Sequence, residues 1–107
     1  MREIESPSKK WPGKIYLPDF LTFPQFAAFR DALDAAVAEP DKLKSDRLLL
    51  PGIVACVERW ELDSGFPANV TPETFPATPI KSADSLIRKL RDELLALILE
   101  ESEIPNA

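Results

Sequence analysis

Residues 60–79 constrain this chain more than any other stretch. They hold one of its two tryptophans (Trp60), two of its six phenylalanines (Phe66 and Phe75) and four of its eleven prolines. Strongly apolar helical segments stand on either side. A disordered linker is poor in large apolar residues, so the stretch reads as irregular backbone pinned to a core by aromatic anchors, with proline restricting φ between them. Phe66, Val70 and Phe75 are the expected anchors. Gly65 permits a left-handed turn, and residues 69–73 resemble the start of a one-turn helix capped by Thr71.

Around this segment the periodicities predict helices. Thr22-Phe23-Pro24-Gln25 is a capping box with proline in the first turn, which predicts a helix from about Phe23 to Glu39, stopped by Pro40. Its inward face would use Phe26, Phe29 or the stem of Arg30, Leu33, Ala36 and Val37. Phe23, Phe26 and Phe29 cannot all point inward, so one is left for the surface. Residues 41–46 read as a charged connection. A second helix begins at Asp46 or near Leu50, with its regular body from Pro51 to Trp60. Arg47 to Leu50 is either its first turn or a short strand. The last and longest helix starts at Ser82 or Asp84 and runs to Glu101. Lys14-Ile15-Tyr16-Leu17 is β-prone, an edge strand or an extended segment laid on the core, with Trp11 as a packing anchor against a helix.

The predicted architecture is therefore mainly α. It is a small single domain of three principal helices, with a short N-terminal extended segment or strand and a Pro/aromatic-rich ordered loop before the last helix. Residues 1–10 read as a flexible arm, 11–103 as the helical domain and 104–107 as a C-terminal tail. A chain of 107 residues buries roughly two-thirds of the surface that its unfolded form exposes. Partners can therefore supply part of its stability.

Charge and inventory exclude several functions. The net charge is −5, which disfavours nucleic acid and anionic lipid as main ligands. Residues 1–14 carry a net +2, read as a solvated, frayed terminus rather than a phosphate-binding arm. Without histidine the chain lacks the commonest general acid–base group and the commonest nitrogen metal ligand. One cysteine rules out an intramolecular disulfide and leaves zinc without a plausible ligand set. Cys56, within Ile53-Val54-Ala55-Cys56-Val57, reads as a small buried hydrophobe. The three glycines are too scattered for a phosphate loop, and adjacent acid pairs such as Asp92-Glu93 diverge on a helix. No cofactor, no metal and no enzyme are expected. No stretch is apolar enough for a membrane span and the start lacks a signal-peptide core, so a cytoplasmic location is expected.

In the last helix Ile87, Leu90, Leu94 and Leu97 form one stripe, widened by Leu86, Leu95, Ile98 and Leu99. A surface helix usually needs a single apolar stripe. Either the other helices enclose this one or part of it meets another chain. The expected partner-binding residues are Leu94, Leu97 and Ile98 with Trp60, Phe66 and Phe75.

With these residues in view the chain resembles the tail assembly chaperones of tailed phages and prophages. The similarity lies in residues 11–18 (Trp-Pro-Gly-Lys-Ile-Tyr-Leu-Pro), Leu21-Thr22 and Gln25. It continues through Leu50-Pro51, Val57, Trp60 and Leu62, then residues 69–72 and 75–79, with an ending at 100–106 of similar character. The resemblance implies a non-catalytic protein, absent from the finished virion, that coats the long tape measure protein and helps to recruit tail-tube subunits in the host cytoplasm. It supplies no catalytic residues. The competing expectation is a structural adaptor of head-completion or connector type that homo-oligomerises through its last helix.

Overall fold

The computed structural model describes residues 1–63 and 65–102, leaving aside the side chains of residues 101 and 102; the expected tail at 104–107 lies outside the described residues. In chain order the elements are β1 (Arg2–Glu5), β2 (Gly13–Leu17), α1 (Phe23–Ala38), α2 (Lys42–Leu48), α3 (Leu50–Cys56), β3 (Arg59–Leu62) and α4 (Ile80–Ser102). The three strands form one antiparallel sheet in the order β1-β2-β3. The fold is thus α+β, and the mainly α expectation is corrected by this sheet.

The sheet draws two of its strands from places that the sequence did not advertise. β1 comes from the stretch read as a flexible arm. Its Arg-Glu-Ile-Glu alternation puts Ile4 inward and the acids outward, the period of a half-buried strand. Ile4 lies opposite Ile15 of β2, and Ile15 lies opposite Trp60 of β3. One cross-strand row of large apolar side chains therefore runs over the inner face. On the outer face Glu3, Tyr16 and Arg59 line up, with the Arg59 guanidinium 5.6 Å from the Tyr16 ring centroid and Lys14 3.1 Å from Glu3. Gly13 starts β2 at φ +140°, and a Cβ there would stand 2.0 Å from the Glu61 carbonyl oxygen. Only glycine lets β3 come that close.

β3 also corrects the second helix. Residues 53, 57 and 60 suit a helical face, but α3 stops at Cys56, and Trp60 sits on the strand. Backbone pairing with β2, continued by Glu58 N–H to the Tyr16 carbonyl at 2.9 Å, decides the matter over local propensity. The "charged connection" is largely α2. Asp41 caps it by accepting from the Lys44 amide at 3.0 Å, and the Ser45 hydroxyl donates to the Ala36 carbonyl at 2.6 Å, tying α2 to the end of α1.

The capping box of α1 is present in full, with Thr22 Oγ1 accepting from Gln25 N and Gln25 Oε1 from Thr22 N. Phe29, Ala32 and Ala36 are its buried residues, and Phe23 is the phenylalanine left outside. Val37, expected inside, is exposed. α1 packs on α3, while α2 and α3 both touch α4. On α4 the expected stripe of Ile87, Leu90, Leu94 and Leu97 is fully buried, joined by Leu86. Ile4, Ile15 and Leu17 of the sheet share one core cluster with Leu86, Leu90 and Leu94. Burying each such leucine is worth about 1.5–3 kcal/mol, so α4 is the post around which the other layers assemble.

Candidate functional site

The aromatic anchors form a cluster, and most of it is inside. Phe66 contacts three rings, at centroid distances of 5.5 Å to Trp11, 5.5 Å to Trp60 and 5.8 Å to Phe75. Trp60 and Phe75 meet at 6.1 Å. Trp11 therefore anchors onto the 60–79 segment, where a helix was expected. The loop that carries Phe66 and Phe75 is shaped by Gly65 at φ +85° and by a single turn in which the Phe75 amide donates to the Thr71 carbonyl and the Thr74 amide to Thr71 Oγ1. Of the residues expected to bind a partner, Phe66, Phe75, Leu94 and Leu97 are buried, while Trp60 and Ile98 are half-buried and packed against the core. Geometry groups the three rings with one another and the three α4 residues along one helix, and most of this surface is already occupied within the chain.

An open apolar groove lies elsewhere, between α2 and the first turns of α4. Leu43 and Arg47 project from one face of α2, as residues four apart do. Ile80, Ala83, Asp84 and Ile87 project from one face of α4. Ala77 and Thr78, just before the cis Thr78–Pro79 peptide, close the end. Together they line a groove of about 370 Å³, within the size range of specific binding sites. Its floor, Ala83 and Ile87, is buried, whereas its rims carry Leu43 at 52% and Ile80 at 56% exposure. About half of each of these aliphatic rim residues is thus open to solvent.

Behind the groove stands a polar network. Asp46 on α2 is buried and receives Arg88 Nε at 3.3 Å, and the Arg88 guanidinium also contacts Asp84 Oδ2 at 3.0 Å. Burial, followed by the hydrogen bond and repulsion from Asp46, pushes the Asp84 carboxyl above its ordinary range, against the pull of Arg88 and Lys42. The acids of this corner are thus engaged internally. Apart from Arg88, its cations are not ion-paired: Lys42, Lys44, Arg47 and Lys81 are exposed and form no ion pair among the described residues.

A second cleft, between β1 and α4, is lined by Arg2, Glu3, Ile4, Glu5, Lys89 and Glu93. Most of its charges pair with neighbours, Arg2 with Glu100, Glu3 with Lys14 and Lys89 with Glu93. Cys56 is buried, and that burial pushes its thiol up to about 11. Among the described residues no group of His, Cys, Asp and Glu is placed to hold a metal ion, and no helix is long and apolar enough to cross a membrane. The sequence reading missed the groove because it left α2 as a connection and began α4 after Ile80. The signal was present in Pro40-Asp41, a stop followed by an N-cap, with Leu43 and Arg47 four residues apart. Comparison with protein-family models, with curated proteins and with solved structures found no significant match.

Proposed function

We propose that this chain is a non-catalytic protein-binding module, a tail assembly chaperone that binds the tape measure protein and assists tail-tube assembly in the host cytoplasm. The observation that carries the reading is the open apolar groove between α2 and α4, with Leu43 and Ile80 exposed on its rims. A largely helical client presents apolar side chains at three- and four-residue spacing, and a groove of this kind receives them. The resemblance in residues 11–18, in Leu50-Pro51, Val57, Trp60 and Leu62, and in residues 69–72 and 75–79 supports the choice of client.

Co-expression with a candidate tape measure protein tests the proposal. The expected result is a rise in client solubility and co-purification of the two chains. Unchanged solubility and no co-purification would refute it.

A structural adaptor that homo-oligomerises through α4 is the second reading, favoured by one observation. Leu99 is 66% exposed and lies beside the half-buried Leu95 and Ile98. Light scattering of the purified chain separates the two. An oligomer that Leu99→Glu dissolves, together with retention of the chain in purified particles, supports the adaptor; a monomer supports the chaperone.

A further inference from the structure

We infer that the α2/α4 groove is built for an acidic amphipathic helix, a partner segment with leucine- or isoleucine-type side chains on one stripe and Asp or Glu flanking it. This rests on the protein-binding reading above and adds the chemistry of the bound segment. The apolar requirement follows from the lining. Leu43 and Ile80 form the rims and Ala83 and Ile87 the floor, an arrangement that accepts two or three successive apolar side chains from one helix face.

The charge requirement follows from which groups at the groove are already paired. The whole chain is acidic, at −5, yet α2 and the first turns of α4, which form the groove, carry more cations than acids. Arg47 lines it, Lys81 follows Ile80, and Lys42 and Lys44 flank Leu43. Lys42 lies close enough to the groove's Asp84 to draw its titration downwards. None of the four cations forms an ion pair among the described residues. The acids nearby are already engaged: Asp84 and Asp46 by Arg88, and Asp41 by the amide that it caps. A basic segment would meet uncompensated lysines and arginine around apolar surface, and like-charge juxtaposition of that kind selects against it. An acidic segment completes both halves of the site at once.

The test uses the full chain and two labelled synthetic peptides of about 18 residues, long enough to hold helix when docked. Both carry the same leucine stripe. One is flanked by glutamates and the other by lysines. In fluorescence anisotropy the glutamate peptide is expected to bind at least tenfold more tightly, with its advantage shrinking as salt rises from about 50 to 500 mM. Arg47→Glu combined with Lys81→Glu should weaken the glutamate peptide about tenfold, since each exposed pair contributes modestly. Leu43→Gln combined with Ile80→Gln should weaken both peptides. All four side chains are exposed, so the variants are expected to fold, and circular dichroism checks it.

Equal binding of the two peptides overturns the acidic preference while leaving a protein-binding groove in place. No binding of either up to about 1 mM, weaker than roughly −4 kcal/mol, overturns the groove assignment, and so does a concentration-dependent dimer broken by Leu43→Gln, since a second copy would then be the occupant. A tape measure protein that still co-purified after any of these results would leave the chaperone reading standing on another surface, so the two proposals fail separately.

Discussion

Gly52→Ala is the substitution for which structure and local propensity disagree in sign. Gly52 lies in the first turn of α3, where alanine is the better helix former by up to about 1 kcal/mol. The structure argues the other way. A Cβ at residue 52 would stand 2.7 Å from Phe29 Cα, 2.8 Å from Ala32 Cβ and 2.9 Å from the Ala28 carbonyl oxygen, all on α1. Two of those three atoms are backbone and the third is a methyl, so no side-chain rotation relieves the contact. Normal carbon–carbon separation is about 3.5–4.0 Å, so α1 and α3 must part by on the order of 0.5–1 Å, a gap that forfeits a quarter to a half of the dispersion between facing atoms. Overpacking of this kind costs about 1–3 kcal/mol. Because backbone atoms cannot yield, the upper half of that range applies, about 2–3 kcal/mol. Less a propensity gain of about 1 kcal/mol, the net loss is about 1–2 kcal/mol, or a melting temperature lower by roughly 4–16 °C in a domain of this size. Thermal unfolding followed by circular dichroism, with urea midpoints as a check, measures it. An unchanged or raised melting temperature would show that the α1/α3 contact is not as close as described, and the reasoning would fail.

Phe75→Ala removes the ring shared by Trp60 and Phe66 and should cost about 3–5 kcal/mol, with a red-shifted tryptophan emission; a cost under about 1 kcal/mol would mean that the loop is not pinned by its aromatics. Cys56, buried with its thiol pushed up to about 11, should resist a thiol reagent at mildly alkaline pH in the native state and react once denaturant is added; rapid native labelling would contradict its placement. Asp84 holds its proton more tightly folded than unfolded, so the stability that it contributes is present below the ordinary carboxylate value of 3.8 and is lost as pH rises through its higher folded value. Asp84→Asn should therefore match the parent in acid and equal or exceed it at neutral pH in urea unfolding, and a variant less stable at neutral pH than in acid relative to the parent would reverse the sign.

Some of this fold was legible in the sequence, for identifiable reasons. Thr22 and Gln25 fix the start of α1 through two reciprocal hydrogen bonds that need only local backbone, and Pro40 bounds its end. The α4 stripe could be read because four large residues recur at helical spacing and all of them turn inward. β1 and β3 were not legible, because their evidence is non-local. Ile4 is a lone apolar residue among charges, and only its place opposite Ile15 makes it core. Trp60 fits a helix face as well as a strand until its pairing with Ile15 is known. The expected binding residues suffered from a related ambiguity. A large apolar side chain looks the same in sequence whether it packs against its own chain, as Phe66, Phe75, Leu94 and Leu97 do, or waits for another.

The groove's position follows from how unevenly the fold is held. α4 is 23 residues long and buried along most of its length, whereas α2 has seven residues, too few to be helical alone. α2 depends on the Asp41 cap, the Ser45 bond to α1 and the Asp46–Arg88 pair to α4. Of these, only the last crosses to the helix that forms the other wall of the groove. A helix lying between Leu43 and Ile80 would bridge the same two elements and add apolar contact to residues that the chain's own packing leaves exposed. By linkage a ligand that binds only the folded state raises stability by RT ln(1 + [L]/Kd), about 2.7 kcal/mol at a hundredfold excess over Kd. Occupation of the groove should therefore protect the amides of α2 from hydrogen exchange more than those in the middle of α4, which the core already shields. A uniform gain across both helices would mean that the ligand acts through global stability alone, and equal protection confined to the last turns of α4 would move the binding surface to Leu99.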